Sequence, residues 1–251
     1  MGGTPGRRGG PRRYRAGDPV THALGEWPVL EALRRRPDRV ERVVLDRALG
    51  ETRRARLVAA AHAAGVPWHD DDGTLRALRH RSDALALALV RTGDDALDPR
   101  GDHLALVGTR QAGNLGVALR TALGFDVRDV ALVGARVDPW SPHVIRASQG
   151  ARFALRVARF ADWTSYRAQH PRRAATLFAA AHAGAAATAL PDWRPTRPST
   201  LVFGPEWGGV GAAGTGVDAT LVHIPQHPDL ESHNLAVAVG VALYALRHGA
   251  C

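Results

Sequence analysis

Two short apolar runs in the C-terminal half constrain the fold of this chain most. Leu-Val-Phe at 201–203 enters Gly-Pro-Glu-Trp-Gly-Gly at 204–209. Leu-Val-His-Ile at 221–224 enters Pro225-Gln226 and, a few residues on, Ser-His-Asn at 232–234. An apolar run that stops at Gly or Pro reads as a buried strand entering a loop. A third element, Asn-Leu-Gly-Val-Ala-Leu-Arg at 114–120, lies upstream. Loops of this kind at strand ends, each with one or two polar side chains, are how an α/β sheet presents a small-molecule site.

The rest of the chain follows the same alternation. From 102 onward, strands are expected at 103–107, 130–133, 200–203 and 221–224, and helices at 114–123, 142–148 and 233–247. The last helix repeats Leu235, Val239, Leu243 and Leu246 at helical spacing. Residues 173–182 read as a helix from their alanines, and 185–190 as a strand. Residues 19–91 read as a smaller α/β unit with a partly parallel sheet. Its helices are expected at 28–36, 51–64 and 74–81, its strands at 40–46, 66–69 and 84–90. The acidic, turn-rich stretch 92–101 is the best linker. Residues 1–18, with Arg12, Arg13 and Arg15 among Gly and Pro, read as a disordered basic arm.

Composition narrows the function. Apolar residues are 45% of 251, enough for a core. Aromatics are 6%, so that core leans on Ala, Val and Leu. No apolar run reaches membrane-span length, and the Met1 end lacks the apolar segment of a secretory signal. The single cysteine, Cys251, excludes a disulfide within the chain, so a reducing cytoplasm is expected. The formal charge is +9, and all 33 basic residues are arginine. A bias of composition explains Arg over Lys. It does not explain the excess of base over acid, which favours a polyanionic partner, nucleic acid first. The twelve histidines are scattered without ligand spacing, so no metal site is expected. A dinucleotide glycine pattern and a phosphate-binding P-loop are both missing.

The remaining pattern is Asn-x-Gly-x-x-x-Arg, then Phe-Gly-x-Glu-x-x-Gly, then Ile-Pro and Ser-x-Asn before a long helix. It resembles the SpoU/TrmH family of RNA ribose 2′-O-methyltransferases. The matching positions are Asn114, Gly116 and Arg120; Phe203, Gly204, Glu206 and Gly209; and Ile224, Pro225, Ser232 and Asn234. Arg-Ala-Ser-Gln-Gly at 146–150 is a further echo. The stretch from His22 to Leu33 is similar to the start of that family's small ribosomal-protein-like substrate-binding domain.

The resemblance implies a SPOUT-type domain with a parallel sheet and a deep trefoil knot, working as a homodimer on rRNA or tRNA. It implies S-adenosylmethionine held among Phe203, Gly204, Ile224, Pro225, Gln226, Ser232 and His233. Catalysis would fall to Asn114, Arg120, Glu206, Ser232 and Asn234, with Arg12, Arg13, Arg15, Arg120 and Arg146 touching RNA. Ser232 and Asn234 have an alternative as helix caps, Glu206 as a helix-start carboxylate, and Arg120 as a surface arginine. The rival function is a catalytically silent knotted protein that binds RNA.

Overall fold

The structure, a computed structural model, describes residues 12–79, 83–171, 173–179, 187–204 and 219–249. The chain divides into two compact units, Met1–Thr92 and Gly93–Cys251.

The first unit runs β1 (Val20–Leu24), α1 (Glu26–Arg35), β2 (Val40–Leu45), α2 (Glu51–Ala63), β3 (Trp68–Asp70), α3 (Asp72–Arg79) and β4 (Ala86–Arg91). Its strands order as β1-β4-β2-β3, with β2 and β3 parallel and the other pairs antiparallel. β4 is an interior strand with α3 packed on the Leu87 and Leu89 face and α1 also against it, which is why Ala-Leu-Ala-Leu-Val is buried throughout. The edge strand β1 was not anticipated. It ends at Gly25, whose φ of 103° turns the chain into α1 at a cost that only glycine avoids. The described part of the expected arm is not free chain. Asp18 accepts from the Arg15 amide (2.8 Å) and pairs with Arg12 (2.7 Å), while Arg13 stays exposed.

The second unit runs β5 (His103–Val107), α4 (Ala112–Gly124), β6 (Asp129–Val133), α5 (Pro142–Ala147), β7 (Arg156–Phe160), α6 (Trp163–Gln169), β8 (Ala174–Ala179), β9 (Thr188–Ala189), β10 (Ser199–Phe203), β11 (Thr220–His223) and α7 (Leu235–His248). Among the described residues its strands form one seven-stranded parallel sheet, β7-β6-β5-β10-β8-β11-β9. A parallel sheet is buried on both faces, so its strands read as continuous apolar runs rather than alternating ones. Leu104, Leu106, Leu115, Leu119, Leu201 and Leu243 are wholly buried, each contributing about 2 kcal/mol of apolar burial.

Two expectations are corrected here. The stretch expected as a helix at 173–182 contains the strand β8, seated between β10 and β11. Alanine favours helix locally, but two strand partners override a preference of a few tenths of a kcal/mol per residue. Of the strand expected at 185–190, residues 185–186 lie outside the described residues, and the described part holds the two residues of β9, followed by a 3-10 turn, Leu190–Asp192. β7, unanticipated, is an edge strand whose Arg-Val-Ala-Arg-Phe sequence hides the pattern.

The stretch expected as a linker is bonded along the second unit. The Asp95 carboxylate accepts from the Val157 amide (3.1 Å) and from Arg152 (3.2 Å), and the Asp98 amide donates to Asp129 (2.8 Å).

Candidate active site

A parallel sheet gathers the C-terminal ends of its strands at one edge, and loops there form a crevice where the strand order reverses. Here the order reverses between β5 and β10. β5 leads through 108–111 into α4, β10 leads to Gly204, and β11 leads through 224–234 into α7. All three segments singled out in the sequence therefore leave the same edge.

The side chains of Asn114 and Asn234 meet. Asn234 caps α7, its Oδ1 accepting from the Ala236 amide (2.9 Å). That bond fixes which end of the amide is oxygen, and the remaining Nδ2 donates to Asn114 Oδ1 (3.1 Å). At the far end of the helices, Arg247 donates to the carbonyls of Phe125 (2.5 Å) and Asp126 (2.7 Å). Bonded start to start and end to end, α4 and α7 run parallel and side by side.

Gly116 has a packing reason. A Cβ there would lie 2.4 Å from the Ala147 Cβ and 3.0 Å from both Ser148 N and Val144 O. The Asn-x-Gly spacing thus seats α4 directly on α5 and its Ala-Ser turn. Arg120 stands on the exposed face of α4, one turn beyond the exposed Val117. Its guanidinium makes no hydrogen bond or ion pair among the described residues.

The 224–234 loop is closed locally. Gln226 Nε2 donates to the Leu230 carbonyl (2.5 Å), and the Leu230 amide donates to the His227 carbonyl (3.0 Å). Main-chain groups of Ile224, Pro225, Ser232 and His233 make no such bond among the described residues. Of the two residues with a capping alternative, Asn234 is the cap and Ser232 is not. Ser232 is exposed, and its hydroxyl makes no bond among the described residues. Phe203 departs from its expected role. Its ring is buried in the core, stacked on Phe178 at 4.7 Å and 4°, so only its main chain can face a ligand. Glu206 and Gly209 lie outside the described residues.

The arginines of this edge are unlike the rest. Arg146 is exposed at the end of α5. Two arginines that the sequence analysis did not single out, Arg110 and Arg136, are exposed on the loops after β5 and β6, and those loops are joined by the Arg136 amide donating to the Thr109 carbonyl (3.0 Å). None of the three guanidiniums has a carboxylate partner among the described residues. For Arg110 and Arg136, in a chain with so many arginines, a place just beyond a strand end was the only signal.

At the opposite edge Arg156, Arg197 and Arg173 are engaged by carboxylates and carbonyls. Arg156 pairs with Asp129 through two bonds of 2.6 Å, and Arg197 with Asp102. Arg173 reaches the carbonyls of Pro99 (2.9 Å), Ser199 (2.9 Å) and Gly101 (2.5 Å). A directed chain of hydrogen bonds begins there. Arg173 Nε donates to Thr200 Oγ1 (3.1 Å), Thr200 contacts the Tyr166 hydroxyl (2.8 Å), and that hydroxyl contacts His103 Nδ1 (2.9 Å). His103 Nε2 contacts the Asp98 carbonyl (2.8 Å). A carbonyl only accepts, so Nε2 carries a proton; at neutral pH Nδ1 is then bare and accepts from the Tyr166 hydroxyl, which in turn accepts from Thr200. Burial, with Arg173 nearby, pushes the His103 pKa down to about 4. Burial likewise raises the Tyr166 pKa.

Among the described residues no three His, Cys, Asp or Glu side chains gather as a metal ion would require. No described helix is long and apolar enough to cross a membrane.

Residues 102–244, more than half of the chain, match the SpoU rRNA Methylase family, and the chain belongs to that family. An uncharacterized tRNA/rRNA methyltransferase of Synechocystis sp. is 33% identical over 144 residues, 57% of this chain; the match spans 52% of that protein's length. A 23S rRNA (guanosine-2′-O-)-methyltransferase of Nitrosomonas europaea is 26% identical over 239 residues, covering 90% of this chain and 91% of that protein. The fold is shared with an AdoMet-bound rRNA methyltransferase from Sinorhizobium meliloti, at a TM-score of 0.75 and 22% identity over 91% of this chain and 87% of that one.

Proposed function

We propose that this protein transfers a methyl group from S-adenosylmethionine to a ribose 2′-hydroxyl of structured RNA, rRNA foremost and tRNA next, in the cytoplasm. The observation that carries the reading is the Asn234–Asn114 bond. It locks the cap of α7 to α4, the helix that presents Arg120, at the switch-point edge of the sheet.

The residues present fit the cofactor. The unengaged main-chain groups of 224–225 and 232–233 supply the donors and acceptors that an adenine edge needs, and Gly204 leaves room for close approach. When bound, S-adenosylmethionine supplies a methyl group on a sulfonium, which leaves as a neutral thioether. The chain's own residues align the hydroxyl for in-line attack. Arg120 is too basic to serve as the base, since a guanidinium keeps its proton at neutral pH; it clamps the adjacent phosphate and orients the ribose. Asn114 positions Arg120 through the shared helix. Glu206 accepts the hydroxyl proton or its hydrogen bond, and Ser232 lends its free hydroxyl to the same edge. Arg146, with Arg13 and Arg15 of the basic segment, meets further phosphates; Arg12 joins them on releasing Asp18.

The working form is a homodimer. Val237, Val241 and Tyr244 lie at i, i+4 and i+7 on α7, 52%, 37% and 49% exposed, and Val117 of the neighbouring α4 is 45% exposed. Such an apolar stripe on paired helices calls for a partner, and a second copy would bring Arg120 to the rim of the joint site. The knot belongs to the second unit. Its support is the resemblance of the motif-bearing residues of this unit to the SPOUT-type domain, and the crossovers of the order β5-β10-β8-β11 are compatible with it. Residues 19–91 form the RNA-recognition domain.

The test incubates the protein with tritiated cofactor and total RNA and maps the labelled nucleotide, alongside calorimetry with the cofactor alone. Label in a 2′-O-methyl nucleotide is expected. Heat of binding without transfer would leave the 2′-O assignment wrong, and no binding at millimolar cofactor would favour a silent RNA-binding protein.

A further inference from the structure

Helix α1 has a face that the core of its unit does not use. Pro28, Val29, Ala32 and Leu33 are buried. Trp27, Leu30, Glu31 and Arg34, at i, i+3, i+4 and i+7, share the other side. Between that face and α2 opens a groove of about 590 Å³, walled by Trp27, Leu30, Leu33, Pro37, Ala60 and Ala63. Alanines on α2 leave its floor open, where larger side chains would have filled it. Trp27 is 57% exposed, more than any other large apolar side chain among the described residues. Its indole N–H makes no hydrogen bond among them either.

Glu31 and Arg34 stand in the wall of the groove, and the charge on the two helices that form it is net positive. Glu31 lies 2.7 Å from Arg34 and 3.5 Å from Arg35. Glu26 lies 3.0 Å from Arg56 and 3.7 Å from Arg53. Each carboxylate is shared by two guanidiniums, which leaves two positive charges over. The carboxylates are about one-fifth exposed, whereas Arg34, Arg53 and Arg56 are 62%, 67% and 53% exposed. Flat aromatic surface beside surplus cations suits a base and its phosphates. A purely apolar protein segment would have no use for the cations.

We propose that this groove takes one unpaired base of RNA, stacked on Trp27, with the flanking phosphates on Arg34 and on Arg53 or Arg56. The inference rests on the reading of this protein as an RNA-modifying enzyme and adds to it a preference for a single-stranded loop or bulge, since bases inside a duplex cannot be stacked on a side chain.

The experiment measures binding of the full chain, without cofactor, to a labelled single-stranded RNA oligonucleotide and to the same sequence annealed in a duplex. Trp27→Ala should weaken single-strand binding about tenfold, the loss expected of one stacked base, and leave duplex binding unchanged. Trp27→Phe should recover most of the loss. Because Trp27 is more than half exposed, both variants should melt with the wild type, and the melting curves serve as the control. Unchanged single-strand affinity in Trp27→Ala overturns the proposal. So does a wild-type oligomer that Trp27→Ala dissociates, because the groove would then be covered by a second copy. Without cofactor, the result stands or falls apart from methyl transfer. If Trp27→Ala binds RNA normally while transfer persists, only the groove assignment fails.

Discussion

The two edges of the seven-stranded sheet are built from the same residue types and do opposite things. At the N-terminal edge, arginines are spent on carboxylates and carbonyls: Arg156 on Asp129, Arg197 on Asp102, Arg173 on three main-chain oxygens. At the C-terminal edge, Arg110, Arg136 and Arg146 are exposed, as is Arg120 on α4, the helix that starts there, and their guanidiniums have no partner among the described residues. Arg173 is buried, and a buried donor left unsatisfied costs about 1–3 kcal/mol, so its bonds at the closed edge hold the fold. An unsatisfied edge in water costs little and keeps its donors for a ligand. Count and type of arginine do not tell the two apart; partners do.

The comparison can be broken most decisively at Arg120. If the open edge serves catalysis, Arg120→Ala lowers methyl transfer about 10³-fold with an unchanged melting temperature. Full transfer with normal RNA affinity would remove Arg120 from the mechanism.

The next effect belongs to the closed edge and appears with acid. His103 titrates near 6.5 when unfolded and near 4 when folded. Between these values the unfolded chain holds a proton that the folded chain refuses. The stabilisation is therefore complete above about pH 6.5 and is lost as the pH falls toward 4, by about 3 kcal/mol at most. Protonating Nδ1 would oppose the Tyr166 hydroxyl and force it to turn and donate to Thr200 Oγ1. Buried His22 and His170, also pushed down by burial, act in the same direction. Urea denaturation of the wild type and His103→Gln at pH 7.5 and pH 5 isolates the His103 share; equal slopes would show that the relay does not hold this proton off.

Gly116→Ala comes third. The added methyl collides with Ala147 and with main-chain atoms that cannot swing aside, so about 2 kcal/mol of stability should be lost. A stability within 0.5 kcal/mol of wild type would mean that α5 yields easily. The smallest effect is at the amide pair. Asn234→Ala removes a helix cap and should cost about 1 kcal/mol. Combined with Asn114→Ala in a double-mutant cycle, it should show a coupling of about 0.5 kcal/mol in stability. Zero coupling would mean that the two side chains meet without acting together.

Much of this molecule was legible in one dimension. Apolar runs ending in Gly or Pro located β5, β10 and β11, because a strand buried on both faces must be apolar throughout and its exit must turn. Helical spacing located α7 through Leu235, Val239, Leu243 and Leu246. The motif residues Asn114, Gly116, Arg120 and Asn234 could be read off as a set. Their physical duties could not. That Gly116 is a contact with Ala147, that Asn234 rather than Ser232 caps α7, and that Phe203 turns its ring into the core depend on neighbours far away in the chain. The strand β8 was misread for the same reason: its alanines favour helix locally, and only β10 and β11 on either side make it a strand. Local preferences are worth tenths of a kcal/mol, whereas pairing and burial are worth several. The sequence therefore determined where the motifs and most of the elements lie, and tertiary contacts alone decided which arginines are bound and which are left open to a ligand.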